Sequence, residues 1–189
     1  MKIRQRRYGT GIAMLAMGAL AVMAVSSLAM AQQAQWMKDA AKMMSDGWKQ
    51  FNDGQRMVIQ GKEMNDLVAV QMGFEGQMAQ GNKIIRDGRN TQTQAATLFA
   101  QGEKTYLDNQ ANPSVAKPGL QMMGDSFHMA NDGSKMITQG VAMNNQVAQA
   151  AGAADKFSQG NQVIQTGVAT MASGAKLFMQ GEDLFLKNK

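Results

Sequence analysis

A glycine recurs at seven-residue intervals through most of the chain after its first thirty residues. Seven residues are close to two turns of an α-helix, so glycines at this spacing share one helix face, where another backbone can approach closely. A strand would place alternate glycines on opposite faces, and a disordered segment would keep no register. The pattern predicts helices with a glycine packing seam, formed by Gly47, Gly54, Gly61, Gly81, Gly88, Gly102, Gly133, Gly140, Gly160, Gly167, Gly174 and Gly181.

Large apolar residues follow these glycines three and four positions later. If the glycine is position a of a heptad, they occupy positions d and e, as Ile84 and Ile85 do after Gly81. A narrow stripe of glycine and large apolar side chains is typical of a coiled-coil face packed on another helix. Because a glycine costs a helix roughly 1 kcal/mol relative to alanine, close packing has to offset that loss.

The chain also repeats itself, so that residue n of a first segment corresponds to residue n + 79 of a second. Asn52–Gly54 returns as Asn131–Gly133, and Gln101–Glu103 returns as Gln180–Glu182. Between segments 38–110 and 117–189, 29 of 73 aligned positions are identical, which is far more than unrelated segments share. We interpret the constant offset as an internal duplication of one unit, and we call the paired positions equivalent.

Each unit is predicted to hold two helices. Position a advances by six residues instead of seven between 68 and 74, and again between 147 and 153. Glycines lie at both shifts, namely Gly73 and Gly76 in the first and Gly152 in the second, which favours a hairpin turn at each. The alternative is one long helix with a local discontinuity of the heptad.

Between the units, the chain carries its two prolines, Pro113 and Pro118, which predict a break in the helix. We therefore expect helices at about 34–71, 77–108, 119–150 and 154–187. The first hairpin repeat spans 32–108, a proline-containing linker spans 109–118, and the second hairpin repeat spans 119–189. The predicted fold is all-α, a four-helix bundle built from two duplicated helical hairpins.

Residues 1–31 read as a secretory signal peptide. They combine a basic start, an apolar run from Gly11 to Leu28 and the small-x-small ending Ala29–Ala31. We expect cleavage after Ala31 and export to the periplasm or cell exterior. The alternative is an uncleaved membrane anchor, because the apolar run is close to the length that spans a bilayer.

Removal of this segment takes four basic residues and no acidic one, so the net charge falls from +5 to +1. Nucleic-acid binding is then not expected, because no basic block remains. The chain has no cysteine and a single histidine, His128, which excludes thiolate chemistry and a multi-histidine metal centre within one chain. No catalytic or phosphate-binding motif is present, so we expect no enzyme, no cofactor and no small-molecule substrate.

Methionine is the remaining compositional signal. Fourteen methionines follow residue 31, and four of them occupy successive d positions at 122, 129, 136 and 143. Thioethers suit Cu(I), although methionine at helical spacing usually fills a core. A Cu(I) site would draw on Met43, Met44, Met122, Met123, His128 and Met129.

Three classes of function follow from these patterns. The first is an exported structural or interaction protein whose partner is itself or another helical protein. The second is a methionine-rich bundle that binds or stores Cu(I). The third is a helical protein associated with a membrane surface, since glycine faces are common where helices pack in lipid; beyond the signal peptide, however, no stretch is long and apolar enough to span.

Overall fold

The computed structural model describes residues 10–188, with side chains from residue 35 onward. Within that range the chain is almost entirely helical and contains no strand. The four helices are α1 (Thr10–Met72), α2 (Ala79–Asp108), α3 (Pro113–Ala150) and α4 (Ser158–Asn188). Short 3₁₀ turns at Glu75–Met78 and Ala154–Phe157 precede α2 and α4.

Both predicted hairpin turns lie where the heptad shifts, so the single long helix is excluded. Gly73 has φ of 75° and Gly152 has φ of 68°, a left-handed conformation that favours glycine. The amide of Phe74 donates to the carbonyl of Ala69 at 3.1 Å, and Ala153 donates to Ala148 at 2.8 Å. Each bond reaches back over the end of its helix and satisfies a carbonyl that the helix leaves free.

The predicted linker 109–118 is wrong in its second half, because α3 begins at Pro113 instead of about 119. Pro113 occupies the first helical position, where a missing amide hydrogen costs nothing and the fixed φ suits the helix. Pro118 lies inside α3. The hydrogen bond that it forgoes belongs to the exposed first turn, at Ser114.

The start of α1 also differs from the expected position near 34, since the helix begins at Thr10. An alanine-rich apolar segment has high helix propensity, which accounts for the longer helix. Residues 1–9 of the predicted signal peptide, and the side chains of the rest of it, lie outside the described residues. Cleavage after Ala31 therefore stays a prediction.

Each helix packs most closely on one antiparallel partner, α1 on α4 and α2 on α3. Gly47 faces Gly174, and Gly61 faces Gly160, so residue numbers rise along one helix as they fall along the other. Helices α3 and α4, which a short turn joins, make far fewer contacts. Each closely packed pair therefore joins one helix from the first predicted repeat to one from the second. The α1–α4 pair and the α2–α3 pair pack on each other as a four-helix bundle.

Aromatic side chains fill the space between the two pairs. Trp48 of α1 stacks on Phe99 of α2 with ring centroids 4.3 Å apart, and Phe127 of α3 stacks on Phe178 of α4 at 4.0 Å. A smaller cluster closes the end of the bundle at the two turns, where Phe157 lies 6.0 Å from the ring of Phe74.

Candidate functional site

The glycines of α1 and α4 lie in direct backbone contact. A Cβ atom added to Gly54 would lie 2.5 Å from the carbonyl oxygen of Gly167, and one added to Gly167 would lie 2.5 Å from the oxygen of Gly54. Real Cβ atoms do not approach a carbonyl oxygen so closely. Glycine is therefore required here by the separation of the helices and not by its backbone angles.

The same arrangement occurs between α2 and α3. A Cβ atom on Gly88 would lie 2.5 Å from the oxygen of Gly133, and one on Gly140 would lie 2.5 Å from the oxygen of Gly81. All twelve glycines that the heptad singles out are buried. Each Cα–H group faces a carbonyl across the contact, an arrangement that adds weak hydrogen bonds to close packing.

Two further small residues take part that sequence reasoning missed. Gly119 faces Gly102, and the carbonyl oxygen of Ala40 would lie 2.7 Å from a Cβ on Gly181. Gly119 is the first residue of the predicted third helix and is not among the predicted seam glycines, and Ala40 is not glycine. Both positions nevertheless fit the heptad, because Gly119 precedes Gly133 by two periods and Ala40 precedes Gly47 by one.

The methionines at position d lie beside these contacts and are only half-buried. The Cβ atoms of Met57 and Met136 would lie 2.9 and 3.0 Å from added Cβ atoms on Gly167 and Gly88. Most fully buried side chains come instead from position e, which includes Phe178, and α3 adds Leu120 and Phe127 from position b. Thus d residues cover the facing glycine, while e residues and, in α3, b residues fill the core.

The six candidate Cu(I) ligands are distributed over different surroundings. Met44 and Met123 are fully buried in the core. Met43 contacts Gly181 of α4, whereas Met122 contacts Gly102 of α2, so these two lie at different helix contacts. Met129 is partly buried against the core.

His128 is exposed, and its nearest polar group is a carboxylate. Its Nε2 atom lies 3.1 Å from Oε1 of Glu182, whose side chain is largely buried. Among the described residues, no three carboxylates or histidines cluster as a metal site. Cu(I) binding by the methionines stays a prediction.

Two pairs of asparagines cross the close helix contacts near the turns. Asn65 donates to Asn161 at 2.9 Å, and Asn144 donates to Asn82 at 2.8 Å. The Oδ1 atoms of Asn65 and Asn144 are buried without a hydrogen-bond partner. Asn65 lies against Gly160 and Asn144 lies against Gly81, each on the facing helix. Because these glycines have no side chain, there is room for the asparagine amide groups.

Carboxylates beside the glycines form ion pairs along their own helices. Asp132 accepts a hydrogen bond from Lys135 at 2.8 Å, and Asp87 accepts one from Lys83 at 3.1 Å. The hydrogen bond and charge of Lys135 lower the pKa of Asp132. These exposed pairs have the character of a solvated helix edge.

No protein-family model matches the chain, and no curated protein or solved structure matches it. Across the part of the chain that the structure describes, none of the helices has a segment long and apolar enough to cross a bilayer.

Proposed function

We propose that this protein is an exported, non-enzymatic helical bundle that works by binding a second copy of itself. The signal-peptide pattern supports export. The duplicated hairpins and their glycine seam supply a rigid scaffold, because close backbone contact leaves little freedom for the paired helices. The outer face of α4 supplies the contact with the second copy.

The observation that carries the proposal is a second stripe on α4, opposite its buried face. Ala172, Lys176, Met179, Asp183 and Leu186 follow one another at spacings of four and three residues and are all exposed. This is the spacing of a helix-pairing face. Met179 is 54% exposed and Leu186 is 44% exposed, so the other described residues leave these apolar side chains largely uncovered.

The charges on this stripe are complementary to a second copy. Within the described residues, Lys176 and Asp183 form no ion pair, whereas many other lysines pair with an aspartate on their own helix. If two α4 helices pair in antiparallel orientation about an axis that passes between Met179 and Gln180, Lys176 of each copy comes opposite Asp183 of the other. The apolar positions then meet along the same line.

Sedimentation velocity of the chain from Gln32 onward tests the proposal over a range of concentrations. We expect a concentration-dependent dimer, because one helix pair buries a small interface. Met179→Glu should give a monomer, since two carboxylates would lie close to each other beside the symmetry axis. Ala100→Glu is the matched control, because Ala100 is exposed and is the equivalent position in the first repeat. A wild-type protein that is monomeric at every concentration would contradict the proposal.

An exchange of the charges at positions 176 and 183 distinguishes the proposed α4–α4 contact from non-specific association. Lys176→Glu should weaken the dimer, because it leaves two acidic groups opposite each other. Lys176→Glu combined with Asp183→Lys should restore it, since opposite charges face each other again. Failure of the double variant to recover would show that α4 does not pair in this orientation.

Cu(I) storage and membrane-surface association remain predictions from the sequence. A Cu(I) titration against a competing chelator tests the first, with Met44→Leu and Met123→Leu as variants that keep the core apolar. Co-sedimentation with anionic vesicles tests the second.

A further inference from the structure

A groove of about 450 Å³ lies between α1 and α2 on the first-repeat side of the bundle. Ile59 and Ala96 contribute apolar surface to its walls, and the polar side chains include Gln55, Arg56 and Glu63 from α1 and Arg89, Gln92 and Thr93 from α2. A second groove of about 380 Å³ continues along α2 and shares Arg89 and Thr93 with the first. The volume is in the range of small-molecule sites.

The arginines after residue 31 are concentrated at these two grooves. There are three of them, Arg56, Arg86 and Arg89, and each lines one groove or both. Arg56 reaches Asp53 only at 3.4 Å, and neither Arg86 nor Arg89 forms an ion pair within the described residues. The groove therefore holds guanidinium groups that no carboxylate of the described chain neutralises closely, which favours an anionic ligand.

Gln92 adds to this groove a polar side chain whose hydrogen-bonding capacity is only partly satisfied. The residue is only 6% exposed, and its Nε2 atom donates to the carbonyl of Ala130 at 3.4 Å. Its Oε1 atom is buried and accepts no hydrogen bond. A buried acceptor without a partner costs free energy, so a ligand with a hydroxyl or N–H donor would bind favourably once the Gln92 amide turns Oε1 toward the groove.

The second repeat shows that packing does not require these polar groups. At the equivalent positions, Arg89 is replaced by Val168, Gln92 by Met171 and Thr93 by Ala172. Met171 is buried, and its sulfur lies 3.8 Å from the hydroxyl of Ser134. The same place in the bundle is thus filled by a thioether, so close packing alone does not account for the polar residues at 89, 92 and 93.

We propose that the α1–α2 groove binds a small carboxylate ligand that also carries a hydrogen-bond donor, that is, a hydroxy- or amino-carboxylate. Arg56 and Arg89 hold the carboxylate, and Gln92 Oε1 accepts the hydroxyl or amino hydrogen. Glu63, which forms no ion pair within the described residues, accepts from an ammonium group when the ligand has one.

Isothermal titration of the folded protein with malate, aspartate and succinate at constant ionic strength tests this inference. Malate and aspartate share the required chemistry, and succinate has the carboxylates without the donor. We expect malate or aspartate to bind at least about tenfold more tightly than succinate, because only they satisfy Gln92. Equal binding of all three, or no binding of any, would overturn the proposal.

Two variants test whether the ligand binds in the α1–α2 groove. Arg89→Val and Gln92→Met each introduce the residue found in the second repeat, so the fold should be retained, as circular dichroism can verify. We expect each to weaken binding of the preferred ligand at least about tenfold. Lys104→Gln, on the same helix but away from the groove, is the control and should change nothing. A loss of binding equal in Lys104→Gln and Arg89→Val would show a general charge effect and overturn the site.

Discussion

Equivalent residues of the two repeats make matching contacts at the helix interfaces but differ along the α1–α2 groove. Asn65 pairs with Asn161 as Asn144 pairs with Asn82, and Trp48 stacks on Phe99 as Phe127 stacks on Phe178. The groove positions have diverged in charge and polarity, as described for Arg89, Gln92 and Thr93. Close helix packing tolerates few side chains, whereas a groove open to solvent tolerates many. The proposed ligand site therefore falls at positions where the two halves differ.

The largest expected effect comes from a test of the shared interfaces. Gly88→Ala and Gly167→Ala, at equivalent positions, should each destabilise the protein by about 2–4 kcal/mol, because the new Cβ meets a backbone carbonyl that cannot move aside. Urea unfolding measures both. The control is Gly76→Ala, since nothing lies within 4 Å of an added Cβ there. A higher melting temperature for Gly88→Ala or Gly167→Ala would refute the close contact.

A substitution that makes the second half resemble the first should also lower the stability of the protein. Met171→Gln places an amide in a buried position whose neighbour is the Ser134 hydroxyl and should cost about 1–3 kcal/mol, because part of the amide stays unpaired. Chemical denaturation provides the measurement. Unchanged stability would mean that the two positions are not equivalent in packing.

The reverse exchange should be stabilising. Gln92→Met removes a buried oxygen that has no partner, and we expect a gain of about 1 kcal/mol in the absence of ligand. Thermal unfolding of the ligand-free variant against wild type measures it. A loss of stability would show that the amide serves the fold rather than a ligand.

A smaller difference between the halves concerns Tyr106, whose equivalent in the second repeat is Phe185. Burial, and then the charge of Asp39, raises the pKa of Tyr106 above its ordinary value. The native state therefore favours the neutral phenol. The contribution of the neutral phenol to the free energy of unfolding is fully present below about pH 10, the ordinary pKa of tyrosine. It is lost as the pH rises through the raised pKa of Tyr106.

Tyr106→Phe should make the decline of stability at alkaline pH less steep, because the substitution removes the titrating phenol. Unfolding free energies of both proteins between pH 8 and 11 would be compared, and absorbance would follow the phenolate, because the only other tyrosine is Tyr8. Parallel pH profiles would exclude a role of the phenol in the pH dependence.

The sequence predicted helices, their number and the two turns, because period, phase and glycine placement are local signals. It did not predict which helices would pair, since every helix presents the same stripe and only the assembled structure selects α4 for α1. The start of α3 was misplaced because Pro113 at a first helical position resembles a helix breaker. The groove was not foreseen either: Arg56 and Arg89 lie on different helices, far apart in sequence, and Gln92 occupies an e position that predicted an ordinary core residue.

The pairing of α1 with α4 has a consequence for the order in which the chain acquires its structure. Helices α2 and α3 are separated only by residues 109–112 and can meet soon after both are made. Helix α1 must wait until residues 158–188 have been synthesised before its partner exists, and closing the intervening loop of residues 73–157 is entropically slower. We therefore expect the α2–α3 pair to form first, while the glycine face of α1 stays without its closest partner until α4 is complete.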